Sequence, residues 1–420
     1  MRLLSSPQLQ LFLAITLIGT ILICLQSSQP LLLSLDGESY LATAKTFGSN
    51  QFLTTEETLL KPPLYPMLIA ITNRIIPNVV EAIRVLHLIV GLFAATLWCS
   101  VSRRFMPLYL STLSFIAATL AAQILYRSVL TEWLSFCLLW VFLSCSLLMQ
   151  STWKKYVPYF CSFTASLLCL NHASYLPCLP IFLGFLLWMS RYKISLTALF
   201  FAVVIGLSPI VLWSMLRTGA LYPYPYGSFV SIGPASLIGS AEIKSNDSDQ
   251  LKQFISYINE RKIPSQGFED FYFNNIDTLY LSSIYDYNQW RVFIAYKKFH
   301  NLSWKEANTL AREYTLRVML THKVAYIRYI IEGLRLYADT LLTLIFLCLI
   351  SILVSYFKNQ EYKPLLVIVY FFTFLHTFRS LFIATTLALM PRYYLQTGAL
   401  IYGFGVICIG LLFEKLRART

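Results

Sequence analysis

Asp36 and Glu38 stand in Asp36-Gly-Glu-Ser-Tyr40, and Lys61 opens Lys61-Pro-Pro-Leu-Tyr-Pro66; both stretches follow residues 8–28, which are almost wholly apolar. An apolar run of that length crosses a hydrocarbon core of ~30 Å, so these acids and this lysine emerge at a lipid–water boundary, where charge is costly and commonly functional. Further along, Arg127 precedes Glu132, and Thr131-Glu132-Trp133 opens a run that is otherwise apolar to Met149. The structural account of Glu132 is the favourable placement of a carboxylate at a helix N-terminus; the functional account is an acid held at a site inside the membrane. His172 separates two apolar runs, His376 and Arg379 end another, and Arg392 begins the next in Met390-Pro-Arg-Tyr-Tyr394. Taken singly, an arginine at a helix end is most often an anchor whose charge reaches the interface. Together, carboxylates and fixed cations at one boundary suit glycosyl transfer from a lipid-phosphate sugar. That reaction needs a carboxylate to take the acceptor hydroxyl's proton and cations where negative charge grows on the leaving phosphate. The scheme requires no cofactor and no metal, and no His/Asp ligand cluster is evident in the sequence.

These residues need a membrane scaffold, and the composition supplies one. Of 420 residues, 57% are hydrophobic and only 13% charged, too few charges for a soluble surface of that size. The pattern predicts an all-α polytopic membrane protein with about ten spans: 8–28, 81–102, 107–125, 129–149, 156–171, 174–190, 194–215, 340–357, 364–379 and 394–413. The net charge of +13 would suggest nucleic acid in a soluble chain; here most Lys and Arg sit in short loops and report orientation instead. With the N-terminus cytoplasmic, Arg103-Arg104, Lys154-Lys155, Arg191 with Lys193, Lys358 with Lys363, and Lys415 with Arg417 and Arg419 all fall inside. The first span lacks a small-residue cleavage site before Gln26-Ser-Ser-Gln29 and reads as a retained anchor. The nine cysteines lie within or at the ends of apolar segments without a CxxC pair, and read as small apolar fillers.

In this orientation residues 29–80 form the first outer loop, and Asp36, Glu38, Glu56, Glu57, Glu81 and Glu132 all lie at the outer side. The positive-inside bias constrains acids little, so their one-sidedness needs another cause. The two prolines after Lys61 favour the start of a helix along the membrane surface. The chain divides into an N-terminal membrane module (1–215) carrying this loop, an outer region (216–339), and a C-terminal membrane module (340–420). In the outer region, residues 219–240 read as a Gly/Pro/Tyr-rich loop. Ser303-x-x-Glu306 predicts a capping box for a helix to about 320, and a membrane-skimming helix follows over 323–338. Asn246-Asp-Ser and Asn301-Leu-Ser are sequons with meaning only in a eukaryotic host.

The ordered motifs resemble the GT-C glycosyltransferases, especially the protein O-mannosyltransferases and the lipid A aminoarabinose transferases. The resemblance rests on Asp36-x-x-x-Tyr40, Lys61-Pro-Pro-Leu64, Arg127-x-x-x-x-Glu132 and Arg392-Tyr393, in this order and on one side. It implies juxtamembrane helices in the first outer loop and a long outer loop before the eighth span. It implies Asp36 as catalytic base, Glu132 as a second acid that orients substrate, and Lys61, Arg127 and Arg392 as contacts of the lipid phosphate, with His172 a weaker fourth. Glu38, Tyr40 and Tyr393 would touch substrate. The implied partners are a polyprenyl- or dolichyl-phosphate sugar, membrane lipid, and a protein, lipid or glycan acceptor, at a site facing the periplasm of a bacterial inner membrane. Two departures stand out: Gly37 separates acids that are adjacent in many relatives, and Gln396 occupies the proline position of the family's Arg-Tyr-x-x-Pro. A lipid-linked sugar flippase would also hold intramembrane charges, but no internal repeat or paired broken helices appear. A polysaccharide polymerase or ligase would share the substrate class without needing the early Asp loop and Lys-Pro-Pro.

Overall fold

The computed structural model describes residues 6–27, 30–33, 35–49, 62–151, 156–189, 195–218, 231–262, 287–335, 345, 347–349, 351–352, 363–386 and 391–417. Lipid offers backbone groups no hydrogen-bond partner, so a chain this apolar satisfies them within helices, and the described residues are helical with no strand beyond an isolated bridge. The protein is an all-α polytopic membrane protein. Among the described residues five helices are long and apolar enough to cross a membrane: Pro7–Ser27, Val79–Ser102, Thr131–Met149, Pro364–Ile383 and Gln396–Glu414. Shorter apolar helices cover Leu108–Ala121, Val157–Asn171, Ala173–Met189 and Leu196–Ser208. Most of the expected span 340–357 lies outside the described residues.

The chain separates into two compact units, the first comprising Met1–Pro223, Thr340–Arg379 and Arg392–Thr420. In chain order its helices are α1 (Pro7–Ser27), α2 (Leu35–Thr46), α3 (Leu64–Ile75), α4 (Val79–Ser102), α5 (Leu108–Ala121), α6 (Gln123–Arg127), α7 (Thr131–Ser151), α8 (Val157–Asn171), α9 (Leu179–Met189) and α10 (Leu196–Thr218). Helices α2 and α3 lie within residues 29–80, the stretch between the first two spans where juxtamembrane helices are expected. The expected single span over 107–125 is instead two helices, because the chain turns at Ala122, whose backbone leaves the helical region before α6 begins. The expected span 174–190 likewise opens with a tighter 3-10 turn, Ala173–Cys178, because Pro177 inside it has no N–H to give an α-helical bond.

Helix α7 is the centre of this unit, with 89% of its most apolar window buried, and it packs against α4 and α8. Gly91 permits the close approach of α4 on both sides: a Cβ there would sit 3.1 Å from Leu22 of α1 and 3.1 Å from Trp133 of α7. Trp98, Phe115, Trp133, Phe136, Trp140 and Phe404 are fully or almost fully buried and form a continuous aromatic column through the core. All nine cysteines are free.

The second unit comprises Tyr224–Asp339 and Ser380–Pro391. It contains α11 (Ile232–Ile238), α12 (Asp249–Arg261), α13 (Ile294–Phe299), α14 (Trp304–Thr321) and α15 (Lys323–Arg335). Helix α11 falls within the stretch expected to be a loop: Gly233 and Pro234 occupy its first turn, the one place where a missing proline N–H costs a helix nothing. The capping box is present as expected, with Ser303 Oγ accepting from the Glu306 N–H and the Glu306 carboxylate accepting from the Ser303 N–H at 2.9 Å. Phe254, Ile255, Ile258, Phe293, Tyr314 and Val318 fill this unit's core. Arg317 binds Asp247 through both carboxylate oxygens, at 2.6 and 2.7 Å, and also the Glu242 carbonyl at 3.0 Å. These bonds from Arg317 hold the Asp247 carboxyl down at about 2. The last helices of the chain are α16 (Lys363–Thr386) and α17 (Pro391–Arg417).

Candidate functional site

The acidic motif begins on a backbone tie. Leu32 N–H donates to the Arg127 carbonyl at 2.8 Å and the Leu32 carbonyl accepts from Val129 N–H at 3.1 Å, a short parallel bridge between Leu32 and Ser128. The segment that leads into α2, and so into Asp36, is thereby locked to the segment that follows Arg127. Asp36 lies in the first turn of α2; its side chain is outside the described residues. Glu38 is exposed, and Tyr40 is buried with its ring edge-on to Tyr65, centroids 5.7 Å apart.

Gly37 now has a physical cause. A Cβ at this position would meet the Val129 carbonyl oxygen at 3.0 Å and Leu33 Cδ1 at 3.0 Å, so the first turn of α2 lies directly against the backbone beyond Arg127. A side chain at this position would have to push Leu33 or the Val129 backbone aside by a few tenths of an ångström, which favours glycine between Asp36 and Glu38. Gly37→Val is expected to push α2 off this backbone at a cost of about 1–3 kcal/mol. Transfer assays on Gly37→Ala and Gly37→Val check this, with the loss growing with side-chain size and Val worst.

Lys61 is outside the described residues, but Tyr65 of the same motif is fully buried in α3. Its hydroxyl donates to His87 Nε2 at 2.8 Å, while His87 Nδ1 lies 2.8 Å from the Tyr126 carbonyl. A carbonyl only accepts, so Nδ1 carries the imidazole proton and the direction of both bonds is fixed. Arg127 follows Tyr126 at the end of α6 and is half-buried, with its Nε unpartnered among the described residues.

Glu132 is 2% exposed in the first turn of α7. Asn171 at the end of α8 holds that turn: its Nδ2 donates to the Thr131 carbonyl at 2.6 Å and to Ser135 Oγ at 2.8 Å. His172 then breaks the helix with extended backbone and caps the 3-10 turn through Nδ1, which accepts from the Ser174 N–H at 3.3 Å.

A second buried network starts at Arg379, which is fully buried in α16. Its guanidinium donates from Nε to Ser174 Oγ at 3.1 Å, from Nη1 to Thr397 Oγ1 at 3.4 Å and from Nη2 to Gln396 Oε1 at 2.9 Å, and it lies 4.5 Å over the Tyr175 ring. His172 Nδ1 accepts the Ser174 N–H and so carries no proton, and the Ser174 hydroxyl, 2.8 Å away, donates to it. Thr397 Oγ1 also lies within hydrogen-bond distance of His376 Nδ1, at 2.6 Å. The neutral His172 imidazole is therefore an acceptor at Nδ1 and carries its proton on Nε2. Gln396 also acquires a reason: a proline there could not accept from Arg379. Arg392 and Tyr393 lie in the first turn of α17, and their side chains are outside the described residues.

The structure thus brings together the backbones or side chains of Asp36, Tyr40, Arg127, Glu132 and His172 within the first unit, together with residues the sequence did not single out for the site: Tyr65, His87, Asn171, Ser174, Arg379 as a hub, and Gln396. A signal for some of these is visible in retrospect, since Tyr40, Tyr65 and Tyr126 each accompany a motif residue. Among the described residues no group of three or more His, Cys, Asp or Glu side chains is placed to hold a metal ion.

The fold and this polar interior define a polytopic helical membrane protein with buried charge at one end of its core. No protein-family model matches the chain, and no curated protein matches it. Among solved structures the chain is similar to the crystal structure of ArnT from Cupriavidus metallidurans bound to undecaprenyl phosphate. That match has 11% sequence identity and a TM-score of 0.43, and covers 96% of this chain and 77% of the other.

Proposed function

We propose that this protein is an inverting glycosyltransferase that moves a sugar from a polyprenyl-phosphate or dolichyl-phosphate carrier to an acceptor hydroxyl at the outer face of the membrane. The observation that carries the reading is the tie at Leu32, which bonds the segment leading into Asp36 to the backbone on both sides of Ser128, directly after Arg127. The motif bearing an acid and the motif bearing a cation and a second acid are thus built as one piece.

In this reading the Asp36 carboxylate takes the proton of the acceptor hydroxyl as its oxygen bonds to the anomeric carbon from behind. The bond from that carbon to the phosphate oxygen breaks, its electron pair stays on phosphate, and the configuration inverts. Lys61, Arg127 and Arg392 meet the charge that grows there, and His172 adds an Nε2–H donor. Glu132, fixed by the Asn171 bonds to its helix turn, orients substrate, and Glu38 and Tyr393 contact it. Tyr40, whose ring packs edge-on to Tyr65, is the third proposed substrate contact. The positive-inside pattern supports a site on the outer face, in this reading the periplasmic side of a bacterial inner membrane, with a protein, lipid or glycan hydroxyl as acceptor.

The test is a sugar-loaded polyprenyl phosphate presented to the full chain in proteoliposomes. Release of free polyprenyl phosphate with the sugar on an acceptor is expected. Movement of the intact carrier between leaflets without cleavage would replace this reading with a flippase.

A further inference from the structure

We infer that His87 is a positioning residue that holds the cation-bearing segments of the site in register, a role that rests on the proposed function. His87 itself carries no motif and lies fully buried within α4. What distinguishes it from an ordinary satisfied core histidine is the identity of its partners. Tyr65, which donates to its Nε2, is the fourth residue after Lys61, and Tyr126, whose carbonyl takes its Nδ1 proton, immediately precedes Arg127. Trp133, whose Nε1 donates to the His87 carbonyl at 3.1 Å, immediately follows Glu132. Tyr40, the fourth residue after Asp36, stacks edge-on to Tyr65. The imidazole therefore joins, directly or through a single ring, neighbours of Asp36, Lys61 and Arg127, and the backbone carbonyl of the same residue takes the neighbour of Glu132.

The bonding explains why a histidine is needed. The Tyr126 carbonyl ends the short helix α6, where the last carbonyls have no partner within the helix, and a buried carbonyl left unpaired is costly. A donor from α4 satisfies it and at the same time sets where Arg127 begins. The opposite nitrogen must accept, so that the Tyr65 hydroxyl, and with it the start of α3 after Pro62-Pro63, is held by the same ring. Glutamine can reproduce this pattern, with Nε2 donating to the carbonyl and Oε1 accepting from Tyr65; leucine fills the space and does neither.

The experiment compares His87→Leu, His87→Gln and Tyr65→Phe in the full purified chain by two readouts. Hydrogen exchange in residues 125–132, followed by mass spectrometry, is expected to accelerate roughly tenfold in His87→Leu, the change expected when one buried hydrogen bond to that segment is lost. His87→Gln should restore most of the protection. Binding of undecaprenyl phosphate should weaken in the same order, with Tyr65→Phe between the parent and His87→Leu. Equal exchange in His87→Leu and the parent, or equal losses for Leu and Gln, overturns the positioning role. If His87→Leu does not fold, Tyr65→Phe decides by itself: it removes the bond to Nε2, and unchanged exchange in residues 64–75 together with unchanged binding of undecaprenyl phosphate overturns the role. A parent protein that does not bind undecaprenyl phosphate removes the donor class of the proposed function, while the exchange comparison still judges His87.

Discussion

Replacing Asp36 with asparagine is expected to lower sugar transfer by roughly two to four orders of magnitude, the usual contribution of a positioned general base. Asparagine matches aspartate in shape but cannot take the acceptor's proton. The loss should fall on turnover, with binding of the polyprenyl-phosphate donor close to that of the parent, because the cations assigned to the phosphate lie on other segments. Folding should survive as well: Asp36 sits in the first turn of α2, and that turn is placed by backbone bonds through Leu32 and by the contact of Gly37 with Val129. Single-turnover transfer and donor binding, measured on the same preparation, check both halves of the expectation. Normal turnover in Asp36→Asn would remove Asp36 from the base role. A parallel loss of donor binding would move it to the phosphate instead. Gly37→Val supplies the contrast, since it displaces the helix while keeping the carboxylate.

How much of this arrangement was legible in the chain depended on the range of the interaction involved. The Ser303–Glu306 capping box and the apolar length of α1, α4 and α7 are local, and they read directly. The break at Ala122 and the 3-10 turn at Ala173–Cys178 interrupt apolar runs that hydropathy alone joins into single spans, although Pro177 within the second was a usable signal. The His87 bonds to Tyr65 and Tyr126 span 22 and 39 residues, and nothing in the sequence around a lone histidine in an apolar run names such partners. Gly37 and Gln396 show the reverse case. As departures from a family pattern they were visible but without cause, and each acquires one only when a distant element is placed beside it: Val129 against Gly37, Arg379 against Gln396. Arg379 itself reads from the sequence as an interfacial anchor, yet it is buried completely, because three polar side chains from two other segments come together around it.

That burial makes Arg379→Met the second large expected effect. Methionine keeps the length and much of the apolar stem but withdraws the donors that Ser174, Thr397 and Gln396 accept. Hydrogen bonds to a charged group contribute about 1.5–3 kcal/mol each, and a buried acceptor left unpaired is penalised further. Since the three acceptors belong to one network, their losses do not add, and a total destabilisation of about 3–5 kcal/mol is expected. Arg379→Lys separates charge from geometry. An ammonium on a flexible stem keeps the cation but cannot span three acceptors in one plane, so it should recover only part of the stability. The two variants also diverge in where the damage appears. Arg379 donates to Ser174 Oγ, the hydroxyl that lies 2.8 Å from His172 Nδ1, so even a folded Arg379→Lys protein should bind the carrier more weakly than the parent. Denaturant unfolding in mild detergent gives the stability, and titration with undecaprenyl phosphate gives the binding. If Arg379→Met unfolds at the same denaturant concentration as the parent, the buried network is not holding the 3-10 turn to α17. If Arg379→Lys binds the carrier normally despite reduced stability, the network serves the fold and not the site.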